Sequence, residues 1–296
     1  MPHTPVLLKE VLGALKPQAG EFLIDGTLGS GGHAKAILEE IKSRGTLLAL
    51  DWDEKNLERF REANEELKGK LILIHENYAN IPEILEKHRL PKAGGLLLDL
   101  GFSNVQIESS GRGFSFLKNE PLDMRYDASD SERPTAASIV NGLNEKDLAD
   151  IIYEYGEERF SRQIAKKITE RRRQDRILTT DALVKVIASA VPRSYEHGRI
   201  HPATRTFQAL RIYVNDELKN LKTILAKLPE IVESGGRVAI ITFHSLEDRI
   251  VKNAFQELVL KKGAQLINKK PIIAGREEIK NNSKSRSAKL RAIRLT

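Results

Sequence analysis

The sequence predicts an α/β fold, a mostly parallel sheet flanked by helices and interrupted by an all-helical insertion. Three features of the 296 residues lead there. Short apolar runs alternate with helical periodicities through the first hundred residues. The region from about 109 to 200 carries helical patterns without strands. An apolar run of strand type then returns at Val238-Ala239-Ile240-Ile241. Alternation of this kind implies βαβ units and a parallel sheet.

The elements follow in order. Phe22-Leu23-Ile24-Asp25 reads as a strand ending at Gly26, and His33 to Ser43 as a helix with Ala34, Ile37, Leu38 and Ile41 on one face. Thr46 to Leu50 is the second strand, Asp53 to Leu67 a charged helix, and Leu71 to Ile74 the third strand. Ile81 to His88 is a helix and Gly95 to Leu100 the fourth strand. Phe102 to Arg133 is polar and rich in Ser, Gly, Asp and Asn. Asn144 is placed to cap a helix with Leu148, Ile151, Ile152 and Tyr155 on one face. Glu157 to Arg173 is a second helix of the insertion, and Thr180 caps a third. One long helix is expected from Thr204 to Leu228. Leu266 to Ile273 and Ala288 to Leu295 suggest a closing hairpin, with Asn281 to Ser287 as a mobile loop. The expected division is therefore 1–108 with 201–296 as one discontinuous domain, and 109–200 as the helical insertion.

Composition narrows the classes. Hydrophobic residues make up 40% of the chain, enough for a core. No apolar run has the length of a membrane span. Residues Met1 to Leu15 include Lys9 and Glu10 and lack the plan of a signal peptide. The absence of cysteine excludes disulfides, thiolate zinc sites and a cysteine nucleophile. A cytoplasmic location is the expectation. Charge is unevenly spread: Lys261 to Thr296 holds eleven Lys or Arg against two acidic residues, while the whole chain is only +7. A basic tail on a nearly neutral body suits either a polyanion such as nucleic acid or a solvated surface.

In open α/β sheets ligands bind at the C-terminal ends of the strands. Four strand ends carry distinctive residues here. Asp25-Gly26-Thr27-Leu28-Gly29-Ser30-Gly31-Gly32-His33 joins the first strand to the first helix. Asp51 ends the second strand, Tyr78 the third and Asp99 the fourth. Gly29, Gly31 and Ala34 fit a dinucleotide spacing, and glycines after a strand also serve plain turns. Asp25, Asp51 and Asp99 together would oppose a pyrophosphate, whereas S-adenosylmethionine, with an ammonium, a sulfonium and no phosphate, would be favoured. Asp51 would take the ribose hydroxyls and Tyr78 the adenine. No two His residues have metal spacing with a third carboxylate, so no required metal is expected. No G-x-S-x-G element supports a serine hydrolase.

Several strings carry a resemblance. His3-Thr4-Pro5-Val6-Leu7-Leu8, the Asp25–His33 loop, Leu98-Asp99-Leu100-Gly101 and Arg112-Gly113-Phe114-Ser115-Phe116 are four of them. Pro121-Leu122-Asp123-Met124-Arg125, Pro202 to Ile212, Phe243-His244-Ser245-Leu246-Glu247-Asp248-Arg249 and Ser285 to Arg291 complete the set. Together they resemble the MraW/RsmH family along almost the whole chain. The resemblance implies a class I (Rossmann-like) methyltransferase with a mostly parallel seven-stranded sheet. It implies transfer of a methyl group from S-adenosylmethionine to the exocyclic N4 of a cytidine in 16S rRNA, at the decoding centre of the small ribosomal subunit.

Carried over by position, the resemblance makes Gly31, Gly32, His33, Asp51, Tyr78, Asp99 and Gln106 cofactor contacts. The chain departs from the family at Ser103-Asn104-Val105-Gln106, where Ser-Ser-Pro-Gln is usual, and at Tyr78, where Phe is common. Asp99 and His244 are the candidates to assist the amine. Arg112, Arg125, Arg205, Arg286, Lys289 and Arg291, with the run 171–173, are candidates for RNA contact. The competing readings are a nicotinamide-dependent oxidoreductase and a non-catalytic RNA-binding protein on a methyltransferase scaffold. A homodimer is compatible with the sequence, which does not determine the number of subunits.

Overall fold

A computed structural model describes residues 5–67, 70–101, 110–192, 195 and 201–296. The chain forms two compact units, Met1–Ser103 with Leu218–Thr296, and Asn104–Glu217.

The first unit is built on a sheet. Its strands are β1 (Phe22–Asp25), β2 (Thr46–Asp51), β3 (Leu71–His75), β4 (Ala93–Asp99), β5 (Val232–Thr242), β6 (Ala264–Leu266), β7 (Ile272–Ile273) and β8 (Lys289–Leu295). Seven of them run in the order β3-β2-β1-β4-β5-β8-β6, and the two-residue β7 pairs with β8 off that path. β1 to β5 are parallel, and β8 is antiparallel to β5, β6 and β7. This is the doubly wound, Rossmann-like plan. The chain moves outward from β1 to β3, then returns to lay β4 on the other side of β1. That reversal opens a crevice at the C-terminal ends of β1 and β4.

The central strands read as unbroken apolar runs because helices cover both faces. Alternate residues enter different cores, as the pleat requires. Leu23, Leu47, Ala49, Leu97, Ala239 and Ile241 pack with helices α1 (Leu8–Leu15), α2 (Gly32–Ile41) and α3 (Glu54–Glu62). Ile24, Leu48, Leu50, Leu96, Leu98, Val238 and Ile240 pack on the other face. There they meet α4 (Ile81–His88) and the later helices of the chain.

The second unit has its own core. Its helices are α5 (Ala136–Gly142), α6 (Glu145–Gly156), α7 (Ser161–Arg172), α8 (Thr180–Ala190) and α9 (Ala203–Val214). Leu148, Ile152, Ile164, Ile168, Leu183, Phe207 and Leu210 are among its buried residues. Asn144 caps α6 as expected, accepting from the Asp147 amide at 2.9 Å. Thr179, not Thr180, caps α8. The Thr180 hydroxyl instead donates to the Lys118 carbonyl and accepts from the Glu120 amide. The helix expected from Glu157 begins only at Ser161, because Glu157 takes a positive φ and terminates α6.

The expected long helix from Thr204 to Leu228 is two helices, α9 and α10 (Glu217–Ala226). The break has a clear cause. The fully buried Asn215 side chain donates to the Met124 and Arg211 carbonyls and accepts from the Tyr126 amide. Asp216 follows with φ of 51°, and Arg211 holds Glu217 through two bonds of 2.7 and 2.8 Å. Phe207, Leu210 and Val214 of α9 lie in the helical core, so that unit runs on to Glu217 rather than ending at residue 200.

Beyond α10 come α11 (Leu228–Ile231), α12 (Ser245–Leu260) and α13 (Arg276–Asn281). The segment expected as a mobile loop is the end of α13 and a 3-10 turn, Ser283–Ser287, with Ser285 buried. No helix among the described residues is long and apolar enough to cross a membrane.

Replacing Asn215 by Ala removes three hydrogen bonds from a buried helix break and takes the Asn215 partner from the Met124 carbonyl and the Tyr126 amide. The expected cost is about 2–4 kcal/mol, read by denaturant unfolding. A variant within 0.5 kcal/mol of the parent, roughly the range of a neutral surface change, would contradict this account of the break.

Candidate functional site

The crevice at the switch point is bounded by a loop that leaves β1 and is tied to β2 and β4. The Gly26 amide donates to the Leu97 carbonyl of β4 at 2.9 Å, and the Leu28 amide to the Leu50 carbonyl of β2 at 2.7 Å. The Thr27 hydroxyl accepts from the Asp99 amide at 2.6 Å. The Gly29 amide donates to Asp51 Oδ2 at 2.7 Å. The loop between Asp25 and α2 is thus fixed by the strand ends that carry the acidic residues.

Gly31 explains why the loop is glycine-rich. Its φ is +76°, and a Cβ there would collide with the ring of Phe60. Only a residue without a side chain meets both conditions without strain. Gly32 packs equally closely on Pro5.

The three carboxylates differ in surroundings. Asp25 is fully buried. Its Oδ1 accepts from the Thr27 amide at 3.0 Å, while its Oδ2 has no hydrogen-bond partner. Burial raises its pKa to about 6; nearby His33 pulls it down, and Asp99 and Asp51 push it up. Asp51 is also buried, and burial raises its pKa to about 6 as well. It accepts from the amides of Gly29 and Asp53 and from Asn56 Nδ2 at 3.1 Å. A carboxylate offers about four acceptor positions, so one remains. Asp99 is partly exposed, with Oδ1 accepting from the Gly101 amide at 3.0 Å. Its Oδ2 lies 3.6 Å from His33 Nδ1. The other nitrogen of His33 is 2.9 Å from the Val6 carbonyl and must donate to it.

Tyr78 opens a 3-10 turn directly after β3 and is half-buried. Its Cβ would lie 3.2 Å from a Cβ on Gly26, so it sits beside the loop. Gly31, Gly32, His33, Asp51, Tyr78 and Asp99 therefore gather at one sheet edge. Gln106 lies outside the described residues, as do Ser103 to Val105. His244 follows β5 and serves as the N-cap of α12. Its Nδ1 accepts from the Glu247 amide while Glu247 accepts from the His244 amide. Its Nε2 is 3.1 Å from Glu247 Oε1 without hydrogen-bond geometry.

The basic candidates are largely engaged in structure. Arg112 donates to the Arg125 and Tyr126 carbonyls. Arg125 grips Asp123 through two bonds, and Arg205 donates to the Glu157 carbonyl. Within the run 171–173, Arg172 donates to the Val140 carbonyl and Arg171 pairs with Asp175. Lys289 and Arg291 both meet Asp248. Arg286 is exposed.

Sequence reasoning missed Thr27, Asn56 and Phe60 as site residues. Asn56 stands beside Leu57 and near Phe60 on the buried face of an otherwise charged helix. A polar residue in that position was the available signal.

The model of the MraW methylase family matches residues 1–296. Curated relatives named ribosomal RNA small subunit methyltransferase H are similar across their length. That of Dictyoglomus thermophilum is 46% identical over 290 residues, 98% of this chain and 95% of its own. That of Syntrophotalea carbinolica is 43% identical over 307 residues, 99% of this chain and 97% of its own. The Anaplasma phagocytophilum relative is 44% identical, with 98% of both chains covered.

The raised pKa of Asp25 predicts a pH-dependent difference between wild type and Asp25→Asn in the absence of ligand. The folded value, about 6, exceeds the ordinary 3.8. Wild type therefore gains stability relative to the variant as pH falls from 7 toward 4, by up to about 3 kcal/mol. Thermal melts across that range check it; a pH-independent difference would show Asp25 to be solvated.

Proposed function

The chain belongs to the MraW methylase family, and on that premise we propose that it methylates small-subunit ribosomal RNA with S-adenosylmethionine. The target is the exocyclic N4 amine of a cytidine in the decoding centre of 16S rRNA. One observation carries the choice of cofactor. Asp25 holds a buried carboxylate oxygen without a partner, flanked by two more carboxylates at the ligand-binding edge of the sheet. A cationic ligand supplies the missing countercharge, whereas a pyrophosphate would face three negative groups. The nicotinamide alternative fails on the same ground.

The residues divide the work. The backbone of Gly29 to Gly32 lets a ligand approach closely. Asp51 has one acceptor position for a ribose hydroxyl, and gripping both hydroxyls requires Gly29 or Asn56 to let go. Tyr78, beside Gly26, is the residue for adenine in this reading. Asp25 faces the positive end of the donor. When bound, S-adenosylmethionine supplies an electrophilic methyl group on a sulfonium.

With that donor bound, the N4 lone pair would take the methyl group and the thioether would leave with the carbon–sulfur electrons. The amine then loses a proton. Asp99 is the acceptor, because it is partly exposed at the end of β4 and its geometry is held by Gly101 and His33. His244 is occupied as a helix cap and is the weaker choice. A paired cytidine must leave its stack to reach such a site.

Isothermal titration with S-adenosylmethionine should show one site, with NAD giving no heat. Between pH 5.5 and 6.5 binding should release protons, since a cation lowers the raised pKa of Asp25. Labelled methyl should enter small ribosomal subunits, and Asp99→Asn should lower turnover by about 10²-fold or more. Near-normal turnover by that variant would remove Asp99 from the chemistry.

A further inference from the structure

A second, basic site lies on the same unit, away from the acidic loop. Lys252, Phe255 and Gln256 of α12, Leu266 of β6, Asn268 and Lys269 of the following turn, and Arg291 of β8 line a cleft of about 40 Å³. Three of its lining residues are cations, and none is acidic.

The cleft is built rather than incidental. Arg291 is mostly buried, and Asp248 fixes its guanidinium through Nε at 2.7 Å and Nη2 at 3.3 Å. Its Nη1 lies outside that grip. Asn268 holds the turn that carries Lys269. Its Nδ2 donates to the Lys270 and Leu290 carbonyls, and its Oδ1 accepts from the Ala292 amide. Lys252 and Lys269 are exposed, so their ammonium groups close on a ligand without burying a charge. Phe255, fully buried, forms the floor. Asp248 also meets Lys289 at 3.2 Å, so that single carboxylate is shared between two cations and the neighbourhood stays strongly positive.

Position supplies the second argument. Arg291 follows Leu290, which is in register with Ile241, and Ile241 is in register with Asp99. Two strand spacings, about 10 Å, separate β4 from β8. An anion in the cleft therefore lies within the reach of a strand whose base enters the crevice at Asp99.

We propose that this cleft binds a backbone phosphate of the RNA substrate. The inference rests on the RNA-methylating reading above. Arg291 is the preset donor, while Lys252 and Lys269 neutralise the charge; recognition is of the backbone and carries no base specificity.

The test uses the full chain with Lys252→Gln and Lys269→Gln combined, and a control pair, Lys219→Gln with Lys222→Gln, exposed on α10 of the same unit. Affinity for a 16S rRNA fragment is measured against salt concentration, alongside affinity for S-adenosylmethionine. The cleft pair should bind RNA roughly tenfold more weakly at low salt. Its log–log salt slope should be shallower by about 1, with S-adenosylmethionine affinity unchanged. The control pair should match wild type. Equal losses in both pairs, or an unchanged slope in the cleft pair, would overturn the proposal. Wild-type enzyme that transfers methyl to RNA while the cleft pair keeps its slope sinks the cleft alone. Wild-type enzyme that neither binds nor methylates RNA sinks the parent reading.

Discussion

The organising constraint of the site is the attachment of one glycine-rich loop to three parallel strand ends. The Thr27 hydroxyl takes the Asp99 amide, Asp51 takes the Gly29 amide, and Leu28 bonds to Leu50. These bonds place three carboxylates around one crevice, where like charges repel and burial penalises ionisation. The fold tolerates this because each carboxylate has at least one backbone amide. Burial makes ionisation costly for both Asp25 and Asp51, and Asp25 keeps one oxygen without a hydrogen bond. A ligand with positive charge converts that cost into affinity, which links the stability of the empty protein to what it binds.

Much of the sheet was legible in the sequence. Leu47 to Leu50 and Leu96 to Leu98 are apolar throughout, the pattern of a strand covered on both faces. Ile81 to His88 was readable to the residue. The long helix through Asn215 was not. Its apolar spacing continues across the break, while the cause lies in Met124 and Tyr126, about ninety residues away in sequence. Periodicity is blind to such contacts. For the same reason the helical unit runs past residue 200 and includes α9.

Within the site, the acidic residues and glycines were visible because each ends a strand or opens a turn. Their supports were hidden. Nothing in the sequence says that Asn56 braces Asp51, or that Phe60 leaves no room beside Gly31. His244 has a structural role that its sequence position did not reveal. A histidine after a strand suggests chemistry, yet here its ring caps a helix. The basic candidates carry a second role of the same kind: Arg112, Arg172 and Arg205 donate to backbone carbonyls.

The position of β8 has a consequence for how the protein comes into being. β6 precedes β8 in the chain, yet β8 lies between β5 and β6 in the sheet. During synthesis β6 emerges before the strand it pairs with, and β5 waits with one edge open. The exposed edge of a hydrophobic strand invites pairing with other chains. Completion of the sheet is therefore a late, non-local event, and the nascent chain is most prone to aggregation just before its last strand docks.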